Sequence, residues 1–165
     1  MMMISVIGGE ASGEAALEAA EAVGREIARR GATLVCGGRG GVMEAACRGA
    51  RAEGGHTIGI MPGRNRDETP PNPHVEFPVF TGLGFTRNVI VVLSGEAVIA
   101  IDGAYGTLNE ISFALIHDVP IVGLDTWDFD YGGHDGDRIV RASDPVVAVE
   151  QAIALAEERR ANRPE

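Results

Sequence analysis

Short apolar runs that end in glycine, each followed by a helical stretch, recur along the chain and restrict it to one broad fold class. Residues 4–7 run into Gly8-Gly9, residues 33–36 into Gly37-Gly38, and residues 97–101 into Asp102-Gly103. Such a run reads as a buried strand entering a tight turn. After the first, Leu17, Ala20, Val23 and Ile27 recur at helical spacing. That spacing predicts a helix over 13–30, capped by Ser12 and stopped at Gly31. Further helices are predicted over 41–53, 106–117 and 145–160, the last opened by Ser143-Asp144-Pro145. Strands are predicted over 57–60, 75–80 and 120–124. Residues 87–94 fit either a strand or a buried helix, because Val89-Ile90-Val91-Val92-Leu93 is apolar without a break. Residues 64–74, with Pro70, Pro71 and Pro73, read as an exposed loop, and residues 125–137 as an acidic one. Strands alternating with helices specify an α/β domain over 1–165: a doubly wound, mostly parallel sheet with helices on both faces and right-handed crossovers. Ligands of such sheets lie outside the carboxyl ends of the strands.

Glycine is in excess, 23 of 165 residues, and much of it falls at those strand ends. The segment Gly37-Gly38-Arg39-Gly40-Gly41-Val42-Met43 combines glycines, which let backbone approach a ligand, with the start of a helix. Unpaired N–H groups and a partial positive charge at a helix start favour an anion, so this loop is expected to take a phosphate. It is not the G-x-G-x-x-G dinucleotide fingerprint, because position 43 is methionine. A plain strand-to-helix turn is the alternative. The segment Asp102-Gly103-Ala104-Tyr105-Gly106-Thr107 repeats the logic and is followed by Glu110. There Thr107 either meets a phosphate or forms a capping box with Glu110.

All 14 basic residues are arginines; lysine is absent. No Schiff base to pyridoxal phosphate can form, and neither a Walker A loop nor Ser-Lys hydrolase chemistry is available. A net charge of −10 argues against nucleic-acid or membrane-surface partners. Cys36 and Cys47 form no disulfide framework, and the opening residues carry no signal-like pattern, so a cytoplasmic protein is expected.

Gly37-Gly38-x-x-Gly41-Val42-Met43, with Gly103-x-Tyr105-Gly106-Thr107-x-x-Glu110 downstream, resembles the Lonely Guy superfamily, often labelled lysine decarboxylase-like. The similarity is greater to its short branch, the molybdenum-cofactor carrier proteins. The resemblance implies a Rossmann-like fold, usually a dimer or larger homo-oligomer, and a nucleoside monophosphate or molybdenum cofactor as ligand, with no cofactor needed for folding. The decarboxylase label fails on the missing lysine. Lonely Guy enzymes hydrolyse the N-glycosidic bond of nucleoside 5′-monophosphates, and the resemblance places their arginine at Arg87 and their glutamate at Glu110. A carboxylate there would stabilise positive charge on the ribose or activate water, and Arg87 would hold the phosphate or position Glu110. Three departures from the family pattern stand out: Asp102-Gly103-Ala104 replaces Pro-Gly-Gly, Asn88 replaces a lysine, and Arg39 replaces a glycine. A carrier or sensor is the first reading and a phosphoribohydrolase the second.

Asp102 at a phosphate-facing strand end would repel an anion unless paired, protonated or turned away, and Arg39 is the expected partner. The remaining features read as structural. Asp125, Asp128, Asp130, Asp135 and Asp137 lack calcium-loop spacing, and His56, His74, His117 and His134 lack zinc spacing, so no metal site is expected. Cys36 is expected to be a small buried strand residue and Trp127 a packing or interface residue.

Overall fold

The computed structural model describes residues 1–129 and 138–162. Asp130, His134, Asp135 and Asp137 lie outside them. Seven strands, β1 (Met3–Gly8), β2 (Thr33–Cys36), β3 (Thr57–Met61), β4 (Phe77–Phe80), β5 (Ala97–Ile101), β6 (Ile121–Leu124) and β7 (Ile139–Arg141), form one sheet in the order β4-β3-β2-β1-β5-β6-β7. Every pairing is parallel. The doubly wound α/β class expected from the alternation is observed, and with it the Rossmann-like fold that the resemblance implies.

The pleat sorts the core. On one face Ile4, Val6, Leu34, Cys36, Ile99 and Ile101 pack against α1 (Glu14–Arg29), α2 (Val42–Ala52) and α5 (Pro145–Ala161). On the other, Ile7, Val35, Val98, Ala100 and Ile121 meet α3 (Asn88–Ser94) and α4 (Tyr105–Ile116). A period of two along β1 and β5 therefore supplies both layers. Each aliphatic side chain buried this way contributes roughly 1.5–3 kcal/mol.

The ambiguous stretch resolves as a 3₁₀ turn over Gly84–Arg87 running into α3. Only two residues separate α3 from β5, too few for the crossover that two parallel neighbours would need. Val91 and Val92 are buried against the sheet, and that burial overrides their strand propensity. β7, only three residues long, has too little pattern to be read from sequence. Both sheet edges are short: β7 on one side and the four-residue β4, which contains Pro78, on the other.

The starts of α1 and α5 are capped differently. Ser12 does not cap α1; Gly13 is the N-cap residue, and the Ser12 hydroxyl donates instead to the Gly9 carbonyl at 3.2 Å. Asp144 does cap α5, accepting from the Val146 and Val147 N–H groups at 2.9 and 3.0 Å, with Pro145 in the first turn. Asp144→Ala is expected to lower stability by about 1 kcal/mol, read as a lower urea midpoint at unchanged slope. Among the described residues no helix is long and apolar enough to cross a membrane.

Candidate functional site

β1 lies between β2 and β5, so the three glycine-rich strand ends stand side by side. Above them is a cavity of about 290 Å³. Gly8, Gly9, Glu10 and Ala11 line it from β1, Arg39 and Met43 from the β2–α2 loop, and Ala104, Gly106, Thr107 and Glu110 from the start of α4. Phe85, Arg87 and Asn88 close it from the 3₁₀ turn and α3.

Nine of the residues singled out from sequence thus share one wall: Gly8, Gly9, Arg39, Met43, Arg87, Ala104, Gly106, Thr107 and Glu110. The others shape the site from behind. Gly41, at φ +64°, is the N-cap residue of α2, and a Cβ there would lie 2.3 Å from the Gly9 carbonyl oxygen. That close contact comes with a hydrogen bond from the Val42 N–H to Gly9 at 3.0 Å, so the chain itself occupies the first donor of the helix. Gly38 likewise spends its N–H on the Cys36 sulfur at 3.3 Å. Gly37 offers its carbonyl to Arg87 Nη2 at 3.2 Å. Gly40 is half-buried beside Glu44. Gly103, behind the start of α4, packs against Thr107. Tyr105 is 81% exposed and stacks obliquely with Trp127, ring centroids 6.2 Å apart, outside the cavity wall.

Two expectations about neighbours are corrected. Arg39 pairs not with Asp102 but with Glu10, Nε to Oε1 at 3.0 Å. Asp102 is absent from the cavity wall; its backbone takes φ +51°, which aspartate tolerates better than most residues, and its carbonyl accepts the Thr126 hydroxyl at 2.7 Å. The capping box is not formed either. Ala104 is the N-cap residue of α4 and makes no side-chain cap, which leaves Thr107 and Glu110 as buried polar groups at the cavity.

The electrostatic centre is the pair Arg87 and Glu110, both buried, Nη1 to Oε1 at 3.5 Å. Burial raises the Glu110 carboxyl to a pKa of about 7, against the opposing pull of Arg87. Burial also lowers Arg87 from its ordinary value, opposed by Glu110 and the Cys36 sulfur. Arg87 is oriented by the Gly37 carbonyl and the Asn88 side-chain oxygen, and Asn88 Nδ2 in turn donates to Asn109 Oδ1 at 2.9 Å. Arg87 Nε, buried, has no acceptor among the described residues. Glu10 and Asn88 are the polar wall residues that the candidate set from sequence lacks. Glu10 directly follows Gly8-Gly9 at a strand end, a signal that sequence reasoning could have used.

Cys36 and Cys47 are buried free thiols with sulfurs 3.5 Å apart, so Cys36 is the packed strand residue expected. Trp127 is half-buried against the second core layer. Among the described residues no group of three His, Cys, Asp or Glu side chains could hold a metal ion.

Comparison with known proteins shows relatives in sequence and in fold. A cytokinin riboside 5′-monophosphate phosphoribohydrolase of Mycobacterium marinum is 36% identical over 129 residues, 74% of this chain and 67% of that protein. The molybdenum cofactor binding protein of Rippkaea orientalis superposes with a TM-score of 0.84 at 34% identity, covering 93% of this chain and 96% of that one. The molybdenum cofactor carrier protein of Chlamydomonas reinhardtii superposes with a TM-score of 0.78 at 33% identity, covering 93% and 98%. The profile of the SLOG cluster4 family matches residues 1–153, and the chain belongs to that family.

Proposed function

We propose that the protein binds a phosphorylated nucleotide-like or pterin ligand between the loops 37–43 and 103–107 and acts as its carrier or sensor. The observation that carries this reading is the buried Arg87, with an unused Nε donor, on the wall of a cavity at the strand carboxyl ends. A buried donor without an acceptor is costly, and an anionic ligand would satisfy it. Gly106 lies at the same wall, and a Cβ on it would meet no protein atom within 4 Å, so the start of α4 is open to a ligand. The carrier role is favoured over catalysis because the two cofactor-binding neighbours align over nearly the whole length of both chains.

A second reading is favoured by Glu110. A carboxyl with a pKa of about 7 is both a competent base and a competent acid near neutrality. In a nucleoside 5′-monophosphate phosphoribohydrolase it would stabilise charge on the ribose as the C1′–N bond breaks, or activate the water that adds to C1′.

One experiment separates the two. The protein is incubated with a panel of nucleoside 5′-monophosphates and, separately, with molybdopterin, following both melting temperature and free base release. A carrier shows a thermal shift with no base released; at ligand a hundredfold above Kd the stabilisation is about 2.7 kcal/mol. Base release that disappears in Glu110→Ala makes the protein a hydrolase. No shift and no release with any anion refutes the binding site itself. The protein is proposed to work in the cytoplasm as a homo-oligomer, dimer or tetramer. Exposed Phe85, Leu93, Tyr105 and Ile116 on the turn before α3 and on α3 and α4 support an association surface.

A further inference from the structure

The cavity at the Arg87–Glu110 pair has a neighbour across Arg39. A second cavity, about 310 Å³, lies beyond it, and Arg39, Arg87 and Phe85 line both. Its far wall is built at the carboxyl ends of β3 and β4: Pro62 and Gly63 follow Met61, and Gly82 and Gly84 follow Phe80. Thr69 packs over Gly63 from the intervening loop. The two chambers therefore open along the same edge of one sheet, where ligands of this fold class lie.

The partition between them is held in place. The Asn72 backbone N–H donates to the Gly38 carbonyl and its side-chain amide to the Arg39 carbonyl, both at 2.9 Å. Two guanidinium groups thus stand at the junction, one of them with the unpaired buried Nε. The acidic groups nearby are largely engaged: Glu10 with Arg39, Glu110 with Arg87, and Glu68 with the Arg64 Nε and backbone N–H at 3.0 and 2.9 Å. Each chamber alone is at the low end of the ~300–1,000 Å³ usual for small-molecule sites. The two add to about 600 Å³, with the Arg39 and Arg87 guanidinium groups, each beside a carboxylate, in the middle. A single phosphate monoester would fill one chamber and leave the other empty. A diphosphate bridge presents oxygens on two phosphorus atoms, which suits two forked guanidinium donors on either side.

We propose that the site takes a ligand of two bodies joined through a diphosphate, the bridge at Arg39 and Arg87 and the second body over the ends of β3 and β4. This rests on the phosphate-binding reading of the first chamber and extends it.

Calorimetric titration of the intact protein with AMP and with P1,P2-di(adenosine-5′) diphosphate tests it. The dinucleotide is expected to bind at least about tenfold more tightly, because its second half is held near its chamber once the first is bound. Thr69→Trp, which fills the second chamber from a surface loop, is expected to abolish that gain and leave AMP affinity unchanged. Glu68→Trp, an exposed position on the same wall, is expected to do the same and stands in if the first variant does not fold. AMP binding without any gain for the dinucleotide overturns the two-chamber proposal and leaves the phosphate site standing. A gain that survives the filled second chamber also overturns it. Binding of neither probe overturns the phosphate-binding reading, and this proposal with it.

Discussion

Gly24→Leu is expected to leave the protein unfolded at room temperature. A Cβ on Gly24 would lie 1.9 Å from the Ala46 carbonyl oxygen, and one on Gly49 would lie 2.0 Å from the Glu21 carbonyl oxygen. The backbones of α1 and α2 are therefore in contact at two reciprocal points, with no flexible side-chain end to move aside. Overpacking an ordinary core site costs about 1–3 kcal/mol. Here the obstacle is backbone, so the helices must separate and their apolar faces lose contact. A cost of about 5 kcal/mol or more would consume most of the stability of a domain this size. Gly13→Ala, where a Cβ meets nothing within 4 Å, is the control and should stay within about 1 kcal/mol of the parent. Urea unfolding followed by circular dichroism reads both: Gly24→Leu is expected to show no cooperative transition, and Gly13→Ala a midpoint near the parent's. A Gly24→Leu protein that unfolds near the parent midpoint would show that the helices are not in backbone contact.

The second large effect is electrostatic. Glu110 has an ordinary pKa of 4.5 and a native one of about 7. Between those values the native state keeps a proton that the unfolded chain releases, so stability falls as pH rises. The contribution is fully present below pH 4.5 and is lost through pH 7. A difference of about 2.5 pKa units corresponds to about 3 kcal/mol over the whole range. Glu110→Gln keeps the shape and has no proton to lose. The parent-minus-variant difference in unfolding free energy is expected to decline by that amount from acid to above neutrality. Parallel curves for parent and variant across pH 4.5–8 would place Glu110 in a solvated setting and undo the argument for it as a near-neutral acid or base.

The strand–helix alternation was readable because β1, β2 and β5 are continuous apolar runs that end at glycine, and the parallel sheet follows from that pattern. The site was partly readable for the same reason: its glycines sit at neighbouring strand ends. Arg87 and Glu110 were placed by resemblance, and only the packing of α3 against α4 brings their side chains to 3.5 Å. The partner of Arg39 is not legible in the sequence: the turn at Asp102 takes its backbone through φ +51°, and Glu10 is the carboxylate that meets Arg39. No composition or periodicity encodes that geometry. Gly24 and Gly49 were similarly opaque, since a glycine inside a helical pattern looks like a mere propensity cost until the facing helix is known.

The two edges of the sheet bear on how copies of this chain can associate. A three-residue strand at one end and a four-residue strand holding a proline at the other give an incoming strand almost no ladder to pair with. The sheet is in effect closed to growth. Any self-association then has to run through side-chain packing on helices and loops, and open-ended β-stacking into fibres is disfavoured from the native state.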